Sequence, residues 1–405
     1  MVRKKTLGRT MAGFQGEKLK KARLYRGLTL TELAEETGVS KQALSKYEKN
    51  QNEPTPSNLF ALACSLNFPI NYFKIPSECF VQGDGTYFRS RTNTAKKKRV
   101  AQTVRTEFIA SVYQVIAKYI SFPELDLPDI GRDSDCYDES DHDFYEYVAQ
   151  KIRTYWGIPN GPIEDLRYVI ESHGVLVSCS AVGTDSIDAF SSCLQLKNGK
   201  NDNVVFIIVI AAGSQSICRA RFDMAHELAH IVLHPWSTEE QETISSEVFR
   251  LRERQANAVA SSLLMPKEEF ISDLDIDPTN LAYYLELKKR WGVSVSAALY
   301  RARELNVLTA NQYQYLMRQV SSKGWRRNEP GDEYYMPSGT LLQESVRMLL
   351  KHNIISKSEF MDELAESGIG MKPEEIEKLL GLPRGMLEVT QESADTTKLI
   401  QFKLR

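Results

Sequence analysis

A multidomain chain is predicted: a basic, all-α N-terminal domain of helix-turn-helix pattern, an α+β domain in the middle, and helices from there to the end. Three observations predict it. Residues 1–60 hold twelve Lys and Arg against six Glu, whereas the whole chain carries 51 bases and 53 acids. The apolar run Val204–Ala212 (VVFIIVIAA) is far shorter than the ~20 residues of a membrane helix and reads as a buried strand. Between Arg219 and His234, the segment RARFDMAHELAHIVLH places two histidines one helical turn apart on apolar flanks.

Length and composition bound the rest. At 405 residues the chain has room for several domains and a sizeable core. A net charge of −2 excludes a uniformly basic nucleic-acid coat protein, and 42% hydrophobic content excludes wholesale disorder. Any nucleic-acid binding must therefore be local. Cys64, Cys79, Cys136, Cys179, Cys193 and Cys218 are scattered, without a C-x-x-C pair, as expected of reduced thiols. The charged start MVRKKTLGRTMAGFQGEK has no apolar h-region, so a cytoplasmic location without membrane attachment is expected.

Composition divides the chain at residues 1–75, 76–143, 144–320 and 321–405. The second region is read as a linker with a helix. It opens on bases, among them Arg89 and Arg91, and continues into ten carboxylates with one base, Arg132, between Glu124 and Glu146. Asp133, Asp135 and Asp138 in that run lack the glycine and terminal glutamate of a calcium loop, and a solvated loop is the reading adopted.

In the first region, Leu19, Ala22 and Arg23 begin an amphipathic helix that stops at Gly27. Thr31 is expected to cap a second helix through Thr37, with Leu33 and Ala34 inward. Gly38 supplies a tight turn, and Ser40 caps a third helix whose Ala43, Leu44 and Tyr47 share one face. Lys41, Gln42, Ser45, Lys46 and Lys49 then point outward. Gln can pair bidentately with adenine and Lys can reach phosphate or guanine, which suits a helix for the major groove, although a plain bundle with a basic face would show the same periodicity.

The ordered string L-x-x-A-R…G-L-T-x-x-E-L-A…G-V-S-x-x-x-L-S-K-Y-E…P over residues 17–73 resembles the XRE (lambda-repressor-like) helix-turn-helix family. That resemblance implies binding to double-stranded DNA. It assigns contacts to Thr31 and Glu32 at the start of the positioning helix and to Lys41, Gln42, Ser45 and Lys46 on the recognition helix. A homodimer is expected, since single modules of this kind usually read paired half-sites.

In the middle region, His226 and His230 stand at i and i+4, so both imidazoles can reach one ion. Glu227 beside them is the residue that, in an H-E-x-x-H site, moves the proton of the attacking water. His234 lies about 12 Å along the axis from His226, too far for the same ion, and is read as a helix-end histidine before Pro235. His173 and His352 are read as ordinary histidines. A third ligand is sought in the helix that follows, where Glu253 falls on the apolar stripe of Ala256 and Ala260 and needs a cation there. Glu247 is the alternative. Asn257, one turn on, could orient a ligand from behind.

The pair of motifs R-x-R-F-x-x-A-H-E-L-A-H-x-x-L-H and E-x-x-A-N-x-x-A-x-x-L-L-M-P resembles the ImmA/IrrE metallopeptidases over residues 150–270, with Asp188-Ala-Phe-Ser191 and the Val204–Ala212 strand in support. Ala229 and Val259 depart from that family's usual Gly and Phe at packing positions. The resemblance implies a zincin-like α+β fold, zinc held by His226, His230 and Glu253, Glu227 as general base, and cleavage of a specific protein partner such as a repressor or antitoxin. Two other readings stay open: a zinc site kept for structure, and a DNA-binding repressor or antitoxin whose peptidase-like domain only senses or interacts. Cys193 is considered as a thiolate switch on the metal, against the plainer reading of a buried thiol.

Residues 281–304 form a second helix-turn-helix-shaped pair around Trp291-Gly292-Val293-Ser294, read as a helical subdomain beside the peptidase core. The remainder, 321–405, is read as a helical tail interrupted at Lys323–Pro337.

Overall fold

The computed structural model describes residues 13–75, 80–88, 96–130, 142–180, 189–198, 201–211, 216–236, 245–274, 276–331 and 339–388. Arg89 and Arg91, the Asp133–Asp138 run, Cys79, Cys136 and Asp188 lie outside them.

The N-terminal domain forms α1 (Gly16–Tyr25), α2 (Leu30–Thr37), α3 (Lys41–Glu48) and α4 (Pro56–Leu66). Gly38 ends α2 at φ +71°, a conformation a side chain would strain, and so makes the turn into α3. The cap of α2 differs from expectation. Thr29, not Thr31, is the N-cap, because Glu32 falls three residues after Thr29 and closes a capping box: Thr29 N donates to Glu32 Oε2 (2.7 Å) and Glu32 N donates to Thr29 Oγ1 (3.2 Å). Ser40 caps α3 as expected, accepting from Ala43 N at 3.2 Å. Arg23 of α1 donates to both carboxylate oxygens of Glu48 in α3, at 2.6 and 2.9 Å, in a nearly buried pair that sets the angle between these helices.

The segment expected to be a linker supplies a strand instead. β1 (Phe80–Phe88) pairs antiparallel with β3 (Ala189–Asn198), and β3 with β4 (Asn201–Ala211); β2 (Leu176–Ser180) pairs parallel with β4, giving the order β1-β3-β4-β2. Pairing with β3 is what makes this glycine-bearing segment extended. After it comes the 21-residue α5 (Lys96–Ile116).

Alternation along the strands builds two cores, one on each face of the sheet. Phe190, Leu194, Val205, Ile207 and Val209 face α5, and the same cluster continues through Phe108 into Tyr25, Phe68 and Phe73 of the N-terminal domain. Ala189, Cys193, Phe206, Ile208 and Ile210 face the opposite way, onto α8 (Ile217–Leu233) and α9 (Ser246–Leu264) through Ala225, Leu228, Ala256 and Ala260. Around that second core lie α6 (His142–Tyr155), α7 (Leu166–Ser172), α10 (Lys267–Leu274), α11 (Tyr283–Trp291), α12 (Val295–Glu304) and α13 (Ala310–Ser322). The α11–α12 pair turns at Gly292 and buries Tyr284, Leu287, Trp291, Ala298 and Leu299.

The last helices, α14 (Leu341–Lys351), α15 (Lys357–Glu366) and α16 (Pro373–Leu380), do not trail as a tail. Leu349, Phe360, Ile376 and Leu379 complete the first core between the sheet and the N-terminal domain. Polar ties reach the same way: Arg26 pairs with Glu375 at 2.8 Å, and Lys18 Nζ donates to Gly368 O at 2.5 Å.

Candidate metal centre and nucleic-acid interface

The metal group is assembled from two helices. His226 and His230 sit a turn apart on α8, fully buried, with Nε2 atoms 3.1 Å from each other. Glu253, from the second turn of α9, brings Oε2 to 3.5 Å from His226 Nε2 and Oε1 to 3.3 Å from His230 Nε2. The three donor atoms lie within 4.8 Å of one another, compact enough to close on one ion. Glu247, the alternative ligand, is exposed in the first turn of α9 and outside this group. Cys193 is buried on β3 and is likewise not part of it.

Buried arginines fix where α9 runs. Arg153 donates to Leu263 O from Nε (2.9 Å) and Nη2 (2.6 Å), and Arg301 Nε donates to Met265 O (3.0 Å). The carbonyls at the end of α9, which the helix itself leaves unpaired, are thereby satisfied, and Glu253 is held in register with α8.

Behind each imidazole stands a partner. His226 Nδ1 is 3.1 Å from Asn257 Oδ1, and Asn257 Nδ2 donates to Glu253 O at 2.8 Å, so Asn257 orients one histidine and is itself oriented by its own helix. His230 Nδ1 is 2.8 Å from His234 Nδ1, whose Nε2 is 3.0 Å from Gln255 Oε1. Gln255 Oε1 can only accept, so His234 Nε2 carries the proton and donates, His234 Nδ1 accepts, and His230 Nδ1 donates. Both ligand-candidate histidines thus present bare Nε2 lone pairs toward Glu253, the tautomer a metal requires. His234 caps α8, as the helix-end reading had it, and in addition stands directly behind His230.

Electrostatics agree. Burial brings the His230 pKa down to about 4, keeping the ring neutral. The Glu253 carboxyl, its side chain only 14% exposed, faces both rings, and with their Nε2 atoms bare it accepts a hydrogen bond from neither. Among the described residues its buried Oε1 has no hydrogen-bond partner. A carboxylate oxygen left so, beside two inward lone pairs, fits a divalent cation in a nitrogen–oxygen site such as zinc.

Glu227, also on α8, is 1% exposed, and Ser191 Oγ of β3 donates to its Oε2. Burial pushes this carboxyl up to about 7, against the pull of His226 and the Ser191 hydroxyl. The Ser191 contact, the His234–Gln255 relay and the arginine braces escaped the sequence reading. Only the alternation of the Ala-Phe-Ser-Ser strand hinted that Ser191 faces the helix. His173 stacks on Trp156 at 4.4 Å and bonds Val169 O, and His352 ends α14, both away from the site.

On the N-terminal domain, Lys41, Gln42 and Lys46 are exposed on α3 and Ser45 is half-buried, while Leu44 and Tyr47 anchor the helix from below. Among the described residues, the polar ties to α5 and the C-terminal helices come from α1 and its surroundings, Glu32 and Asn67, for example Arg105 Nη2 to Tyr25 O at 2.8 Å, and none comes from this face of α3. Thr31 is exposed in the first turn of α2. Glu32 is occupied by the capping box and by Lys97 Nζ of α5 at 2.5 Å.

Comparison with known proteins matches two segments of the chain. Residues 19–73 match the helix-turn-helix family HTH_3, and residues 171–303 match Peptidase_M78, the IrrE N-terminal-like domain. The HTH-type transcriptional regulator SutR of Escherichia coli (strain K12) is 41% identical over 68 residues, 17% of this chain and 38% of that protein. The chain therefore carries an XRE-type helix-turn-helix domain followed by a peptidase-family domain with a His-His-Glu group.

Proposed function

We propose that this protein is a DNA-binding regulator carrying a zinc-dependent endopeptidase that cleaves a specific protein partner, such as a repressor or antitoxin, in the cytoplasm. The observation that carries the reading is the convergence of His226 Nε2, His230 Nε2 and the unpartnered Glu253 Oε1 directly beside Glu227. Among the described residues no helix is long and apolar enough to cross a membrane.

Zinc held by His226, His230 and Glu253 would supply a Lewis acid for the scissile carbonyl. Glu227 performs the proton traffic: its carboxylate takes a proton from the attacking water and delivers it to the leaving amine. A pKa near neutrality suits both directions of that transfer. Ser191, by donating to one oxygen, leaves the other to face the substrate. Asn257 and His234 hold the two imidazoles in place.

For the N-terminal domain, support comes from the exposed Lys41, Gln42 and Lys46 on an anchored α3 and from the likeness to a transcriptional regulator. We assign base reading to Gln42 and phosphate contact to Lys46, with Lys41, Ser45 and Thr31 flanking. Glu32 serves the cap of α2 rather than DNA. Two copies on paired half-sites are the expected arrangement.

Zinc content and Glu227→Gln test the reading together. One zinc per chain is expected in both proteins, with proteolysis of the partner regulator lost in the variant. Loss of zinc on Glu227→Gln, or undiminished proteolysis, refutes it.

A further inference from the structure

A cavity of about 290 Å³ opens on α8 upstream of the metal group. Arg219 and Asp223 contribute from α8, Ser296 from α12, and Trp325, Arg326 and Arg327 from the turn after α13. Arg219, Asp223 and Glu227 follow one another at four-residue spacing, so they share a face of the helix, with Asp223 about 6 Å along the axis from Glu227. The cavity is the next station along the face that bears the proposed catalytic base.

Its chemistry is that of an acceptor for a carboxylate. Arg326 and Arg327 are exposed and have no ion pair among the described residues. The acidic neighbours do not neutralise them. Glu329 Oε1 is engaged by Lys288 Nζ (2.7 Å) and Val295 N (2.9 Å), and Asp223 is only 2% exposed. Half-buried Trp325 offers an aromatic wall for the apolar stem of an incoming side chain, and among the described residues the Ser296 hydroxyl makes no hydrogen bond. Guanidinium groups at the mouth of such a cleft suit bidentate recognition of a carboxylate.

We propose that this cavity is a specificity subsite that takes an Asp or Glu side chain of the protein substrate and so sets which peptide bond lies over the metal group. The role in cleavage rests on the peptidase reading above; the recognition of an acidic side chain does not.

The test separates the two. Zinc-loaded Glu227→Gln protein is used to select from a displayed library of random decapeptides, alongside the same protein carrying R326E and R327E, with thermal unfolding confirming that both are folded. An enrichment of Asp or Glu of about tenfold at one position is expected with native arginines, in line with a charge-assisted hydrogen bond. Reversal should abolish it or turn it toward Lys and Arg. The same preference in both proteins, or no acidic preference in the first, overturns the subsite. If the acidic preference appears but the native protein cleaves no regulator, the peptidase reading fails and the subsite stands; cleavage unaffected in rate and position by R326E and R327E sinks the subsite alone.

Discussion

His230 shows how much of the site depends on atoms set behind the His-His-Glu group. Its ring could rotate about Cα–Cβ, and what stops it is the bond from Nδ1 to His234, itself pinned by Gln255. Replacing His234 with Ala leaves a buried donor unsatisfied and frees the ring, so zinc affinity should fall about 10–100-fold. A chelator-competition titration checks this, and an unchanged dissociation constant would show that the relay is incidental. Residue-scale tests of the proposed DNA face are equally specific. Gln42→Ala should relax discrimination at one base pair by about 1–3 kcal/mol, whereas Lys46→Ala should weaken all sequences and reduce the salt slope by about one. Equal losses on operator and random DNA for both changes contradict that division of roles.

At the scale of elements, caps and strand partners decide what periodicity leaves open. Two threonines precede the apolar pattern of α2, and the structure selects Thr29 because Glu32 returns a bond to its backbone. Thr29→Ala should therefore cost about 1 kcal/mol of stability by denaturant unfolding, and Thr31→Ala close to nothing. A larger loss at Thr31 would reverse the assignment. For α3 the cap was legible in advance, since Ser40 directly precedes a run with apolar residues at helical spacing. β1 was not legible: Phe80–Phe88 contains Gly83, Asp84 and Gly85, which weigh against a strand until β3 is there to accept its backbone.

Across the whole molecule, one continuous core joins the N-terminal domain, α5, one face of the sheet and the C-terminal helices. The helix-turn-helix and peptidase-family domains are thus braced against each other. Glu171, between β2 and the C-terminal helices, reports on that brace. Its Oε1 accepts from Leu341 N at 2.8 Å and its Oε2 from Arg167 at 2.6 Å, yet burial, the largest influence, raises its pKa from 4.5 to about 7. Because the folded protein then holds a proton that the unfolded chain releases near 4.5, this group's contribution to stability is greatest below that pH, falls as pH rises from about 4.5 to 7, and is level above. Glu171→Gln, which can still accept from Leu341, should flatten that part of the pH profile of thermal unfolding. A profile identical to the native one would place the titration elsewhere.

Local spacing carried most of what could be read from the chain alone: two histidines a turn apart with Glu227 between, Glu253 on an apolar stripe, the helix-turn-helix string, and a strand buried over Val205–Ile210. These are properties of residues within a few turns of one another, where helix and strand periods dictate which side chains share a face. The tertiary structure decided the rest. Ser191 reached Glu227, Gln255 came to lie behind His234, and Lys18 met Gly368, 350 residues away. No period encodes such pairs. They exist because each face of one sheet had to be covered, and the elements covering it bring chemically complementary groups together from distant parts of the sequence.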